Sequence, residues 1–169
     1  WMTRELYAAL VFFPSVLASL LVPGPVPFAL ASLSAVVFLF CQARILHLAR
    51  GIPAWRAPLV PWMLFATGLF EGWGALLVAA PTVPAAPLAL AGIVLAAANA
   101  LLWRGYTGGA RDQGIPPLAR RVLDAATAPL HGVGHAAPAL LAAATWLAPS
   151  SAPVLFALAG LAAIAGGMG

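Results

Sequence analysis

Three titratable residues stand in stretches of sequence that otherwise carry few polar groups: Glu71, His131 and His135. A carboxyl and an imidazole can both titrate near neutral pH once buried, so they can take up and release protons. A charged side chain at the centre of a bilayer costs about 2.5–3.5 kcal/mol on insertion scales, and it usually faces the bundle and pairs. We expect Glu71 to transfer protons or to bind a polar ligand. A protonated acid that ties two helices together is the alternative.

The two histidines are four residues apart and so share one face of a predicted helix. This spacing can form part of a metal site, but no Glu-Xaa-Xaa-His set lies nearby. Two histidines on one helix cannot ligate opposite faces of one haem, which would need His47 opposite His131 or His135. A metal site and a haem that also uses His47 are therefore the less favoured interpretations of the pair. Hydrogen bonds inside a helical bundle and contact with a ligand are the two favoured ones.

The helices that must position these residues need lipid as their solvent. Hydrophobic residues make up 63% of the chain, charged residues only 7%, and the mean hydropathy is +1.01. Soluble domains carry roughly 25% charged residues, so this chain cannot cover a water-facing surface. The net charge of +4 comes from residues too few and too scattered to form a phosphate-binding face. We expect no nucleic acid partner.

Six segments approach the length of about 20 apolar residues that a membrane-spanning helix needs. The sequence predicts helices 1 to 6 over residues 6–22, 27–47, 59–80, 87–103, 122–147 and 153 to the end. The fold class expected is an all-α membrane protein, a bundle of about six transmembrane helices. Residues 1–169 then form a single transmembrane helical domain in a multi-pass membrane protein.

The basic residues predict the orientation of this bundle, because all of them are arginines in positions that six helices place on one side. Cytoplasmic connections are rich in Lys and Arg, so that side is expected to be cytoplasmic. The connection from 104 to 121 begins with glycines, and an amphipathic turn over 118–124 is expected at the interface before helix 5. The arginines are Arg4, Arg44, Arg50, Arg56, Arg104, Arg111, Arg120 and Arg121.

Equal depth is expected for Glu71 and His135. Each lies about twelve residues from the predicted cytoplasmic end of its helix, which is roughly 16–18 Å at 1.5 Å per residue. Gly68 and Gly72 have the GxxxG spacing of closely packed membrane helices, or they leave room for a flat ligand beside Glu71. Trp55 suits the headgroup level, in a turn that is either plainly interfacial or a docking loop.

Five short motifs resemble the membrane-anchor subunits of dimethyl-sulfoxide-reductase-type complexes, a group that includes polysulfide-reductase-type anchors. The resemblance is strongest to the anchor associated with phenylacetyl-CoA:acceptor oxidoreductases. The motifs are WMTRE at 1–5, QAR at 42–44, GIPAWR at 51–56, ATGLFEG at 66–72 and GHAAP at 134–138. In such anchors the first motif precedes the third of about eight helices. The resemblance therefore implies that this chain is incomplete at its N-terminus.

The resemblance also implies a function and its partners. A molybdopterin catalytic subunit passes electrons through an iron–sulfur subunit to the anchor, which binds ubiquinone or menaquinone in a prokaryotic inner membrane and carries no haem or metal. On this interpretation Glu71 and His135 handle the quinone protons, and Glu71, His131, His135, Arg44 and Trp55 contact the quinone. Two rivals remain open: a haem-b electron-transfer subunit and a proton-coupled transporter that uses Glu71.

Overall fold

The computed structural model describes residues 2–22, 24–49, 51–79, 85–109 and 115–167, and nearly all of these residues are helical. Several helices begin with proline in the first turn, where the missing N–H has no intrahelical partner to lose. The elements are α1 (Met2–Leu21), α2 (Pro25–Leu48), a 3-10 turn (Pro53–Arg56), α3 (Val60–Ala79), α4 (Ala85–Gly108), α5 (Pro117–Pro129), a π-helical segment (Leu130–Ala136), α6 (Ala137–Leu147), a second 3-10 turn (Pro149–Ser151) and α7 (Ala152–Gly167).

The predicted all-α membrane fold is confirmed. Within the described residues, five helices are long and apolar enough to cross a membrane: Met2–Leu21, Pro25–Leu48, Val60–Ala79, Ala86–Gly108 and Pro149–Gly167. The remaining predicted span corresponds to α5, the π segment and α6. The backbone stays in the right-handed helical region at both junctions, so these three pieces form one uninterrupted helical path. Five spans and this composite helix together match the six predicted helices.

Two predicted boundaries are wrong, both at the connection between helices 4 and 5. The glycine-containing stretch after Arg104 is not a loop at first, because α4 continues to Gly108. The buried ring of Tyr106 keeps this last turn inside the fold. The amphipathic turn over 118–124 is not separate from helix 5, since one helix begins at Pro117 and includes it. Trp1, Arg50 and Arg111 lie outside the described residues.

The chain divides into two compact units, and unit 1 (Trp1–Phe65) contains the hairpin of α1 and α2. Gln42 donates a hydrogen bond to the Glu5 carboxylate, and the rings of Phe12 and Phe38 stack at 6.2 Å with an angle of 11° between their planes. Residues early in α1 thus meet residues late in α2, so the two helices are antiparallel. The N-terminal end of α1 and the C-terminal end of α2, which carry arginines, lie at the same end of the hairpin.

Unit 2 (Ala66–Gly169) holds most of α3 and the helices α4 to α7. The Trp73 indole donates to the Leu88 carbonyl at 2.9 Å, and the Thr67 hydroxyl donates to Asn99 at 2.9 Å, so α3 and α4 are antiparallel. Small residues let the helices of unit 2 pack around three large aromatic rings. The core of this unit consists of Phe70, Trp73, Leu77, Ala89, Ala96, Ala142, Ala152, Phe156, Ala159 and Ala163.

The end of α4 and the start of α5 meet at one end of unit 2. Thr107, Arg120 and Arg121 line the same open cleft of about 360 Å³, together with Asp124. The Trp103 indole donates to the Thr127 hydroxyl at 3.0 Å between the same two helices. Within each unit the arginines of the described residues therefore gather at one end, as the orientation argument requires. That this end faces the cytoplasm stays a prediction.

Candidate functional site

Both candidate histidines of unit 2 lie in the π segment, whose backbone is wound more loosely than an α-helix. The Ala137 N–H donates to the Gly132 carbonyl, five residues earlier, instead of four. Pro138 explains this register, because proline has no N–H to donate and its ring would clash with the carbonyl of Gly134 in a regular helix. π segments are rare and occur frequently at functional sites. Two glycines followed by a proline were the signal that sequence reasoning passed over.

The two histidines are hydrogen-bonded to each other. The Nδ1 atoms of His131 and His135 are 3.3 Å apart, and the ring centroids are 5.4 Å apart with the planes tilted by 47°. His135 is buried, with 9% of its surface exposed. The Nε2 atom of His131 is also buried and has no hydrogen-bond partner among the described residues. The shared face was predicted from the spacing, but the direct imidazole–imidazole bond was not.

An aromatic wall from α3 covers one side of this pair. The Phe70 ring lies 6.4 Å from the His135 ring with an angle of 25° between the planes. Phe70 in turn stacks on Trp73 at 5.5 Å and 5°, and the Trp73 indole is held by its bond to the Leu88 carbonyl. Gly92 of α4 makes room for that indole, because an added Cβ would overlap it. These buried rings are functional candidates that sequence reasoning missed.

Glu71 follows Phe70 on α3 and is half-buried. Its carboxyl lies against the end of α7, where a Cβ added to Gly167 would overlap it. The preceding Gly166 touches Gly134 in the π segment just as closely. The end of α7 therefore meets both Glu71 and the turn that carries His135, at one level of unit 2. In the described part of the chain, no hydrogen bond or ion pair involves the Glu71 carboxyl.

Gly72, one of the two glycines of the predicted motif beside Glu71, is not closely packed. A Cβ added to Gly72 would meet nothing within 4 Å, so this position faces open space. The close approach occurs two residues later, where a Cβ on Gly74 would sit 2.8 Å from the carbonyl oxygen of Gly160 on α7. Close packing of α3 is therefore found at Gly74 and not at Gly72. Open space at Gly72 agrees with the other interpretation, room for a flat ligand.

The remaining predicted ligand contacts, Arg44 and Trp55, belong to unit 1. Arg44 is partly buried near the end of α2. Trp55 lies in the turn Pro53–Arg56, with 39% of its surface exposed. Three of the five predicted site residues, those at positions 71, 131 and 135, therefore lie in unit 2, where the end of α7 meets both Glu71 and the π segment. Among the described residues, no group of three or more His, Cys, Asp or Glu side chains is placed to hold a metal ion.

Comparison of the chain with protein-family models, with curated proteins and with solved structures finds no match.

Proposed function

We propose that this chain is the quinone- or quinol-reactive membrane anchor of a molybdopterin oxidoreductase complex, in which it exchanges electrons with an iron–sulfur subunit. One observation of the structure supports the proposal most directly. A carboxyl and a pair of bonded imidazoles stand at one level of an apolar bundle, beside the flat face of Phe70. The identity of the partner subunits rests on the sequence motifs. The residues of the site support the proposed exchange of protons with a quinone.

Quinone reduction needs two electrons and two protons, and quinol oxidation returns them. The iron–sulfur subunit would supply or accept the electrons, while Glu71 and His135 would supply or accept the protons. Each group can also hydrogen-bond a quinone oxygen, a protonated carboxyl as donor and an imidazole as donor or acceptor. Phe70 and Trp73 are buried and stacked, so they hold the His135 ring in place instead of contacting the quinone themselves. Ubiquinone and menaquinone both meet these requirements.

The first test isolates the native complex in mild detergent through a tag on this chain. We expect an iron–sulfur subunit and a molybdopterin subunit to co-purify, and a fluorescent hydroxyquinoline analogue of quinol to bind. Purification without redox subunits would contradict the proposal and favour a transporter. A reduced-minus-oxidised haem band in the isolated chain would favour a haem-b subunit instead.

The second test replaces Glu71 by Gln, which keeps a hydrogen-bonding side chain but removes the exchangeable proton. Loss of general acid–base catalysis typically lowers turnover by about 10²–10⁴-fold. We expect quinone-linked turnover to fall in that range, while the dye-linked activity of the soluble subunits and the assembly of the complex are preserved. Glu5→Gln is the matched control, since Glu5 lies in unit 1 and bonds to Gln42. Normal quinone turnover in Glu71→Gln would make Glu71 a structural residue.

A further inference from the structure

We propose that His131 and His135 form a two-ring proton relay, which carries protons along the π segment between the arginine-bearing end of unit 2 and the level of Glu71. The direction in which the protons move rests on the proposed quinone function, but the relay itself rests on the geometry of the two rings. No other described titratable side chain is bonded to either ring.

The hydrogen bond between the two Nδ1 atoms restricts where protons can be. At 3.3 Å, one Nδ1 must carry the hydrogen and the other must be bare. A neutral imidazole has a hydrogen on only one of its two nitrogens. If His131 donates from Nδ1, its Nε2 is therefore bare, and His135 carries its hydrogen on Nε2. The pair is a chain of four nitrogens with one open acceptor end and one donor end.

Proton transfer through this chain balances without a redox partner. A proton binds the bare Nε2 of His131 and makes that ring an imidazolium. The Nδ1 proton of His131 then crosses to the Nδ1 of His135, so the charge moves to the second ring. His135 finally releases the proton from its own Nε2. One proton has moved, both rings are neutral again, and the Nδ1 bond now points the other way. The next transfer requires both rings to return to their first tautomers.

The positions of the two rings in unit 2 determine where a proton would enter the relay and where it would leave. His131 is one turn nearer to the end of unit 2 where Arg120, Arg121 and Asp124 line the open cleft. Its Nε2 is a buried nitrogen without a described partner, so it is the end that accepts a proton when His131 donates from Nδ1. His135 lies against Phe70, the residue before Glu71, so the inner end is at the level of the candidate quinone site.

The first experiment observes the hydrogen bond and the proton movement directly, with no quinone present. The chain has only three histidines, so labelling with 15N-histidine gives a small set of ring nitrogen signals in the full-length protein in lipid nanodiscs. We expect a scalar coupling across the hydrogen bond between two Nδ1 atoms, together with exchange between protonated and bare Nε2 signals. His47→Gln should keep the coupling, and His131→Gln should abolish it. An uncoupled pair, or a coupled pair without exchange, would overturn the relay.

The second experiment measures delivery of protons in the native complex. His131→Gln should lower quinone-linked turnover by about a hundredfold, the size expected for loss of a proton-transfer group. His131→Ala should recover turnover when imidazole is added, which a merely structural role would not allow. Unchanged turnover in His131→Gln, or absence of rescue by imidazole in a complex that is assembled, would overturn the relay.

The experiments distinguish failure of the quinone function from failure of the proton relay. If the wild-type chain binds no quinone analogue but shows the coupling and the exchange, the quinone function is wrong and the relay stands. If the analogue binds and the histidine nitrogens are uncoupled, the relay is wrong and the quinone function stands.

Discussion

The contact between α3 and α7 can be tested with two glycines on one helix. Alanine at Gly74 would place its Cβ 2.8 Å from the Gly160 carbonyl oxygen and 3.1 Å from the Cβ of Ala163. Alanine at Gly72 would meet nothing within 4 Å. The two variants carry the same added methyl group two residues apart in α3, so Gly72→Ala is a matched control for Gly74→Ala.

The size of the effect follows from these distances. Ordinary van der Waals contact begins near 3.4 Å, so 3.4 minus 2.8 leaves about 0.6 Å by which the two helices must separate at Gly74. Backbone cannot rotate away as a side chain can, and overpacking of this kind typically costs about 1–3 kcal/mol. The higher helix propensity of alanine contributes up to about 1 kcal/mol to both variants and cancels in their difference. We expect Gly74→Ala to be less stable than Gly72→Ala by about 1–3 kcal/mol.

The assay is reversible unfolding of the full chain in mixed micelles with increasing SDS, followed by tryptophan fluorescence. Both variants are compared at the same lipid-to-detergent ratio. Equal unfolding midpoints for the two variants would show that α3 and α7 do not approach closely at Gly74, and the order of helices in unit 2 would need revision.

Two further predictions concern topology and polar contacts. Single cysteines at Gly109 and Ser150, in an otherwise cysteine-free chain, should be labelled from opposite sides of the membrane, and labelling of both from the outer side would end the six-helix topology. Asn99 is buried between α3 and α4 and accepts the Thr67 hydroxyl at 2.9 Å, so Asn99→Leu should cost about 0.6–1.7 kcal/mol in the same unfolding assay. Ser32→Ala should be neutral, because Ser32 bonds only within its own helix, and an Asn99 variant as stable as the wild type would contradict the assignment.

The helices were predictable because apolar runs indicate the membrane-spanning segments and prolines indicate where those segments begin or end. Proline-rich breaks after the first and third spans end apolar runs, and the structure begins α2 at Pro25 and ends α3 at Ala79. Prediction failed at the end of α4 and at the start of α5, where the composition turns polar over 104–108 and 117–121 but the backbone is helical. Hydropathy indicates whether a residue prefers water or lipid and says nothing about its backbone conformation. It therefore cannot distinguish a loop in water from a helix that extends into water.

The equal depth of Glu71 and His135 stays a prediction, because the count for His135 began at a helix end that the structure moves to Pro117. The stack of Phe70 on His135 could not be counted, since it depends on how α3 is rotated toward the π segment. Phe70 and Trp73 were overlooked because the sequence around an aromatic residue in an apolar helix is equally apolar whether the ring faces lipid, the core or a ligand.

The π segment has a consequence for how this chain will compare with its homologues. A π turn is equivalent to one extra residue inserted in an α-helix, and one residue of α-helix corresponds to about 100° of rotation. The faces of α5 and α6 are therefore offset by about that angle from a single regular helix. A homologue without the insertion would align with a one-residue gap between 130 and 136 and keep both helices. Its α6 would be turned by about 100° relative to α5, so it would meet α4 and α7 with a different face.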